Sequence, residues 1–212
     1  MSRACLETTP GRLSLEAFLG RHAANDLTLE IGAEDSNCRQ WFPNLIAINV
    51  TADWRIDAQA SAYHLPFRDQ SFAVVVCTEV LEHTRSPEQV LSELRRILKP
   101  GGKLLLSVPF AFPIHYSPTD YYRFTRFGLM HLLQGWQIES IEETTSDAAS
   151  LATYFHHWLL KKKGLHWKPP KLVWWGVWQM LTRSYRNHNL RSENGHSYMP
   201  AGYMVVALKQ SK

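Results

Sequence analysis

"FAVVVCTEVLEHTRSPEQVLSELRRILKPGGKLLLSVPF", residues 72 to 110, decides the fold. Phe72 to Thr78 is almost continuously apolar, as a strand buried on both faces must be. A helix signature follows. Ser86 is placed to cap it, Pro87 takes the first helical position, and Gln89 is spaced to complete a capping box. Val90, Leu91, Leu94, Ile97 and Leu98 fall on one face at helical spacing, and Pro100, Gly101 and Gly102 are expected to stop the helix and turn the chain. A second apolar strand, Lys103 to Phe110, then completes a right-handed βαβ unit.

Working outward, the same alternation continues on both sides. "LSLEAFLGRH" reads as a short amphipathic helix, and "LTLEI", "LIAINV" and "IDAQAS" read as three earlier strands. Downstream, "TRFGLMHLLQGW" reads as a helix, "WQIESIEET" as an alternating strand, Asp147 to about Lys163 as a longer helix, and "YMVVALK" as a closing apolar strand. Alternating strands and helices imply a parallel sheet covered on both faces.

Composition is compatible with one such domain. The chain has 212 residues, of which 45% are hydrophobic and 20% charged, which excludes global disorder and fibrous repeats. The net charge of +4 is concentrated in the last third, around Lys161 to Lys163 and Arg183 to Arg191, as a local patch and not the footprint of a nucleic-acid binder. Cys5, Cys38 and Cys77 form no CxxC pair, which argues against a disulfide framework and a zinc site. His156 and His157 are adjacent and point apart on a helix, so no metal is expected there either. The opening residues carry no signal-peptide core and no run approaches the ~18 apolar residues of a membrane span, so a cytoplasmic location is expected.

In an open α/β sheet, ligands bind outside the carboxyl ends of the strands. After the first strand the chain reads "EIGAEDSN", with Glu30 before a Gly32 turn and acidic Glu34 and Asp35 beyond it. Those acids would repel a pyrophosphate at a helix N-terminus, whereas Glu30 can accept hydrogen bonds from an ammonium group. The loop therefore argues against a dinucleotide and for a cationic ligand.

With these residues in view, Phe67 to Phe110 resembles the second half of a class I S-adenosylmethionine-dependent methyltransferase domain, of the methyltransferase type 11 kind. "YHLPF" before it and "DYYRFTRFGL" after it resemble a small-molecule or glycan-modifying branch. The resemblance covers about residues 27 to 140. It implies a Rossmann-like α/β fold: a mostly parallel seven-stranded sheet with an antiparallel last strand and helices on both faces. One domain is expected over residues 1–212, with 147–200 as a helical, Trp-rich cap or interface insertion before the last strand.

The resemblance also implies roles. S-adenosyl-L-methionine is the expected cofactor. Glu30, Gly32 and Ala33 would hold its methionine end, Asn49 would meet the ribose, Ser61 and Ala62 the adenine, and Cys77 would lie beneath the sulfonium. Glu34 for a glycine, Asn49 for an acid and Ser61 for an aspartate depart from the family pattern. They leave open a catalytically silent binding or scaffolding domain.

Past the fourth strand, His83 in "TEVLEH" reads either as a general base facing the acceptor or as a helix-cap or surface histidine. In "PFAFPIHYSPTDYYRFT", His115, Tyr121 and Arg123 read as acceptor-loop residues that could stack a ring and pair an anion, or as groups that hold the loop to the domain. The expected acceptor is an oxygen or nitrogen of a small molecule, glycan or lipid-linked intermediate, and no nucleic-acid partner is expected. Trp158, Trp167, Trp174, Trp175 and Trp178 lie among lysines and arginines, which reads as a cap, a homodimer surface or a peripheral membrane contact.

Overall fold

A computed structural model describes residues 9–33, 37–52, 54–161 and 197–210, and within 156–161 it describes the backbone alone. The first helix, α1 (Pro10–Arg21), starts where the Thr9 hydroxyl accepts the Arg12 backbone N–H. Strands β1 (Thr28–Ile31), β2 (Leu45–Asn49), β3 (Ala58–Gln59) and β4 (Phe72–Thr78) follow. Next come α2 (Pro87–Ile97), β5 (Leu98–Pro109), α3 (Arg126–Leu132), β6 (Trp136–Glu143), α4 (Asp147–Lys161) and β7 (Gly202–Lys209).

The strands form one seven-stranded sheet in the order β3-β2-β1-β4-β5-β7-β6. β7 runs antiparallel to both β5 and β6, and the remaining pairings are parallel. The expected fold class is the observed one. Strand order reverses between β1 and β4, so the crevice at their carboxyl ends is the switch point.

Side-chain alternation along the strands builds two cores. Leu29, Ile31, Val75, Cys77, Leu104 and Leu106 meet the apolar faces of α2 and α3 on one side of the sheet. Val74, Val76, Leu105 and Val206 meet Leu15, Phe18 and Leu19 of α1 on the other. The period-two alternation of a strand sends neighbours to opposite faces, so a sheet covered on both sides needs runs such as Val74-Val75-Val76.

Two local expectations are corrected. Ser86 makes no side-chain cap to α2. The Tyr63 hydroxyl lies there instead and accepts the backbone N–H groups of Arg85 at 2.6 Å and Ser86 at 3.4 Å. The helix also ends at Ile97, and Leu98 already pairs with Phe72 in the sheet. The Lys99–Gly102 segment is a register shift within β5, with Gly101 in the left-handed region at φ +72°, which glycine adopts without a Cβ penalty.

The alternation of strand and helix is looser than expected early in the chain. Among the described residues, the β1–β2 and β2–β3 connections hold only a 3-10 turn, Cys38–Gln40. The Trp-rich stretch beyond Lys161 lies outside the described residues, so the cap, homodimer and membrane readings of it are untouched by the architecture. No helix among the described residues is long and apolar enough to cross a membrane.

Candidate functional site

At the switch point β1 ends in a turn. The backbone N–H groups of Gly32 and Ala33 both donate to the Ile48 carbonyl, at 3.0 and 3.1 Å, which ties the turn to β2. Gly32 has φ +75°, and a Cβ there would stand 2.4 Å from Val80 Cγ2. Glycine is required twice over, for conformation and for space. The obstacle to a larger residue is therefore Val80 and the backbone itself, before any ligand is considered.

The other residues expected at the cofactor edge divide sharply. Glu30 is 2% exposed, and its position in the sheet lies between Ala47 and Val76. Asn49 ends β2 partly exposed, with its Oδ1 accepting the Val50 N–H at 2.7 Å. The Ser61 hydroxyl accepts the Tyr63 N–H at 3.3 Å inside a tight turn closed by His64, and Ala62 packs against the core. Ala33 is buried in the core on the α1 side. Cys77 is wholly buried among Leu29, Ile31 and Leu106, and burial pushes its thiol pKa well up. The side chains of Ala33, expected at the methionine end, and of Cys77, expected beneath the sulfonium, point into the two cores.

Beyond β4 the chain forms a dense polar cluster. Glu79 adopts φ +55°, a conformation that costs a non-glycine residue on the order of 1 kcal/mol or more. Ser107 on β5 holds it there: its carbonyl accepts the Glu79 N–H at 3.0 Å, and its hydroxyl donates to Glu79 Oε1 at 2.8 Å. Glu79 opens to solvent yet is surrounded closely by protein, and desolvation raises its pKa against the opposing bond from Ser107.

Three residues on, Glu82 lies in the 3-10 turn Leu81–His83 with its side chain 0% exposed. Neither carboxylate oxygen has a hydrogen-bond partner. Burial first, then the nearby Glu79 charge, raises its pKa well above the ordinary carboxylate range.

The loop after β5 folds back onto this turn. The Tyr121 and Tyr122 backbone N–H groups donate to the Glu82 carbonyl at 2.8 and 3.3 Å. That return brings His115 beside His83, with ring centroids 4.8 Å apart and the rings nearly perpendicular. His83 Nδ1 lies 2.8 Å from the Thr119 carbonyl, an acceptor, so Nδ1 carries the proton and Nε2 is left with its lone pair. His115 Nδ1 faces the Pro113 carbonyl at 3.3 Å and Asp120 Oδ2 at 3.4 Å, which fixes the same tautomer. Burial lowers the His115 pKa, so the ring is neutral near pH 7.

Of the two readings of Arg123, its side chain is arranged as the one that holds the loop to the domain. Its guanidinium binds both oxygens of Asp120, at 2.5 and 2.7 Å, and donates to the carbonyls of Phe112, Pro113 and Tyr122. Every arm of the fork is used inside the loop. Its role is to hold the loop, and it keeps the Asp120 carboxyl far below the usual range. Tyr121 stays exposed at the rim, where its hydroxyl accepts from Arg85 Nε at 3.2 Å.

The structure thus brings His83 and His115, two of the candidate site residues, side by side. It adds Glu79, Glu82 and Asp120, which the sequence reading did not select. The usable signal was the Glu79-x-x-Glu82-His83 spacing directly after a buried strand.

Residues 32–106 match the family model described as a methyltransferase domain. A ubiquinone/menaquinone biosynthesis C-methyltransferase of Haemophilus ducreyi is 34% identical over 84 residues, which cover 40% of this chain and 32% of the relative. The corresponding protein of Hahella chejuensis is 39% identical over 85 residues, covering 39% of this chain and 34% of the relative. The chain therefore spans about a third of these relatives. Among solved structures, a [4+2]-cyclase, SpnF, superposes with a TM-score of 0.61 at 17% identity, covering 95% of this chain and 82% of that one. A Burkholderia thailandensis 1,6-didemethyltoxoflavin-N1-methyltransferase, solved with its substrate and S-adenosylhomocysteine, superposes with a TM-score of 0.60 at 11% identity, covering 99% and 82%. At these identities the superpositions establish the fold.

Proposed function

We propose that this chain is a class I S-adenosylmethionine-dependent methyltransferase that methylates an ionisable oxygen or nitrogen of a small-molecule acceptor, a reading supported by the match of residues 32–106 to the methyltransferase-domain family model and by the strand order. When bound, S-adenosylmethionine supplies an electrophilic methyl group. The fit rests on two features of the chain. Gly32 makes the tight turn at the switch point, and the rim after β4 carries Glu79, whose carboxylate, when ionised, suits a cationic sulfonium and ammonium. Asn49, at the end of β2, is the residue placed to meet a ribose hydroxyl.

The chain's own contribution to the reaction is positioning and proton handling. The turn at Leu81–His83 and the loop from Phe110 to Thr125 form the acceptor end, where two imidazole Nε2 atoms converge on the Glu82 carboxyl. The Arg123–Asp120 fork keeps that loop in place. The observation that carries the reading is this convergence at the carboxyl edge of β4 and β5, next to the Gly32 turn.

A second reading is a domain that keeps the fold and uses it for something other than methyl transfer. Two observations favour it: the Ser61 hydroxyl is already engaged with the Tyr63 N–H, and a cyclase shares the fold. Incubation with S-adenosylmethionine and a panel of phenolic, hydroxy-acid and amine acceptors, followed by mass spectrometry, separates the two. A gain of one methyl group on an acceptor supports the proposal; no product with any acceptor, together with no cofactor binding, supports the alternative.

A further inference from the structure

We propose that Glu82, His83 and His115 form a binding site for a divalent first-row transition-metal ion such as zinc. One ligand atom from each, a Glu82 carboxylate oxygen and an imidazole nitrogen of each histidine, can be chosen so that all lie within 4.8 Å of one another. Glu82 Oε1 stands 3.7 Å from His83 Nε2 and 3.9 Å from His115 Nε2. Those separations are too long for hydrogen bonds. They are close to what a metal needs, because ligand atoms around a tetrahedral zinc at roughly 2.0–2.1 Å stand about 3.4 Å apart. The two Glu82–imidazole separations need to close by only a few tenths of an ångström.

A buried carboxylate with no partner for either oxygen is costly, and a cation between the three groups would satisfy it. The surroundings are built as metal sites are. Each histidine has its Nδ1 held by an acceptor, the Thr119 carbonyl for His83 and the Pro113 carbonyl with Asp120 for His115, so each Nε2 lone pair is aimed inward. Asp120 is itself locked by Arg123, a further tier of support. Phe112 and Tyr116 pack edge-on against the His115 ring and limit its rotation.

The donor set selects the class of ion. Two imidazoles and one carboxylate suit zinc, cobalt, nickel or iron, whereas magnesium and calcium prefer oxygen ligands throughout. Three protein ligands leave an open coordination position, as catalytic sites do and closed structural sites do not. The cluster sits on the acceptor end, so an acceptor oxygen or a water can take that position. An acceptor hydroxyl bound there would lose its proton more readily.

The site stands on the chain's own residues and does not depend on methyl transfer, so its test reads the metal alone. Untagged full-length protein, stripped with chelator, is titrated with Zn²⁺ by calorimetry and with Co²⁺ by visible absorption. One equivalent of each is expected, with a cobalt d–d band. Glu82→Gln and His115→Gln should each weaken Zn²⁺ binding at least about tenfold, and Asp120→Asn about 10- to 100-fold. Circular dichroism confirms that each variant is folded, and Asp120→Asn keeps the test decisive if a ligand variant is not. No stoichiometric uptake by the wild type, meaning that water alone fills the cluster, would overturn the proposal. So would affinity unchanged in all folded variants, which would put the ion elsewhere. S-adenosylhomocysteine is titrated into the same sample; failure of that binding with cobalt still bound would count against the methyltransferase reading and leave the metal site intact.

Discussion

Asp120 accepts the backbone N–H of His115 on Oδ2 at 2.8 Å and places the same oxygen 3.4 Å from His115 Nδ1. One carboxylate oxygen thus fixes both the main chain and the ring of the histidine five residues earlier. The far side of that carboxylate is clamped by Arg123. The loop after β5 is therefore a rigid platform, and its contribution to the site is to point one imidazole nitrogen at Glu82.

Replacing Asp120 with Asn leaves the Arg123 guanidinium without its counter-charge while preserving shape. The pair is well shielded, Asp120 being 2% exposed in its side chain, so a loss of about 1–3 kcal/mol is expected. Urea denaturation should show a lower midpoint with an unchanged slope. An unchanged midpoint would mean that the ion pair does not hold the loop.

Arg123→Lys should fail to replace arginine, because an ammonium cannot span two carboxylate oxygens and three carbonyls together. Limited proteolysis should then cut between Phe110 and Thr125, with S-adenosylhomocysteine affinity nearly retained. Equal loss of loop protection and cofactor affinity would mean that the loop supports the cofactor edge as well.

Gly32→Ala should destabilise the chain and weaken cofactor binding, since it adds a Cβ 2.4 Å from Val80 Cγ2 at a φ of +75°. The double variant Gly32→Ala with Val80→Ala relieves the clash and keeps the backbone penalty, roughly 1–2 kcal/mol. A partial recovery of stability is expected, read as a double-mutant cycle. Full recovery would show that φ is unimportant there, and none would show that Val80 is not the obstacle.

Glu93 offers a pH test away from the site. The hydrogen bond from Arg96, helped by the Leu65 N–H, holds its pKa below the ordinary glutamate value. A depressed carboxyl pKa stabilises the fold above the unfolded-state pKa, and that stability is lost as pH falls through the folded-state value. Glu93→Gln should therefore lower stability at pH 7 and converge with the wild type at acid pH, below the depressed folded-state pKa. Melting curves from pH 7 to 3 check the sign; a difference that grows toward acid pH would reverse it.

The fold was legible because its signals are local. Val74-Val75-Val76 and the spacing of Val90, Leu91, Leu94 and Ile97 follow from burial on both sheet faces and on one helix face. The capping box does not form, and Tyr63, 23 residues before Ser86, supplies the oxygen that accepts the N–H groups of Arg85 and Ser86 just ahead of the helix. Such a partner leaves no mark at the helix start. The site was only half legible for the same reason. His83 and His115 lie 32 residues apart and meet because the Tyr121 and Tyr122 N–H groups return the loop to the Glu82 carbonyl. Cys77, which the family resemblance puts beneath the sulfonium, has its side chain in the core because strand alternation turns it there. The two readings of Arg123 stay open in the sequence because its five acceptors, three backbone carbonyls and the two oxygens of Asp120, carry no sequence signature.

The decisive measurement is calorimetric titration of the full chain with S-adenosylhomocysteine, run beside Gly32→Ala. Saturable binding at one site, clearly weakened in the folded Gly32→Ala variant, is the predicted result. A folded wild type that gives no heat and no rise in melting temperature with S-adenosylhomocysteine or S-adenosylmethionine would contradict the assignment of this site to methyl transfer.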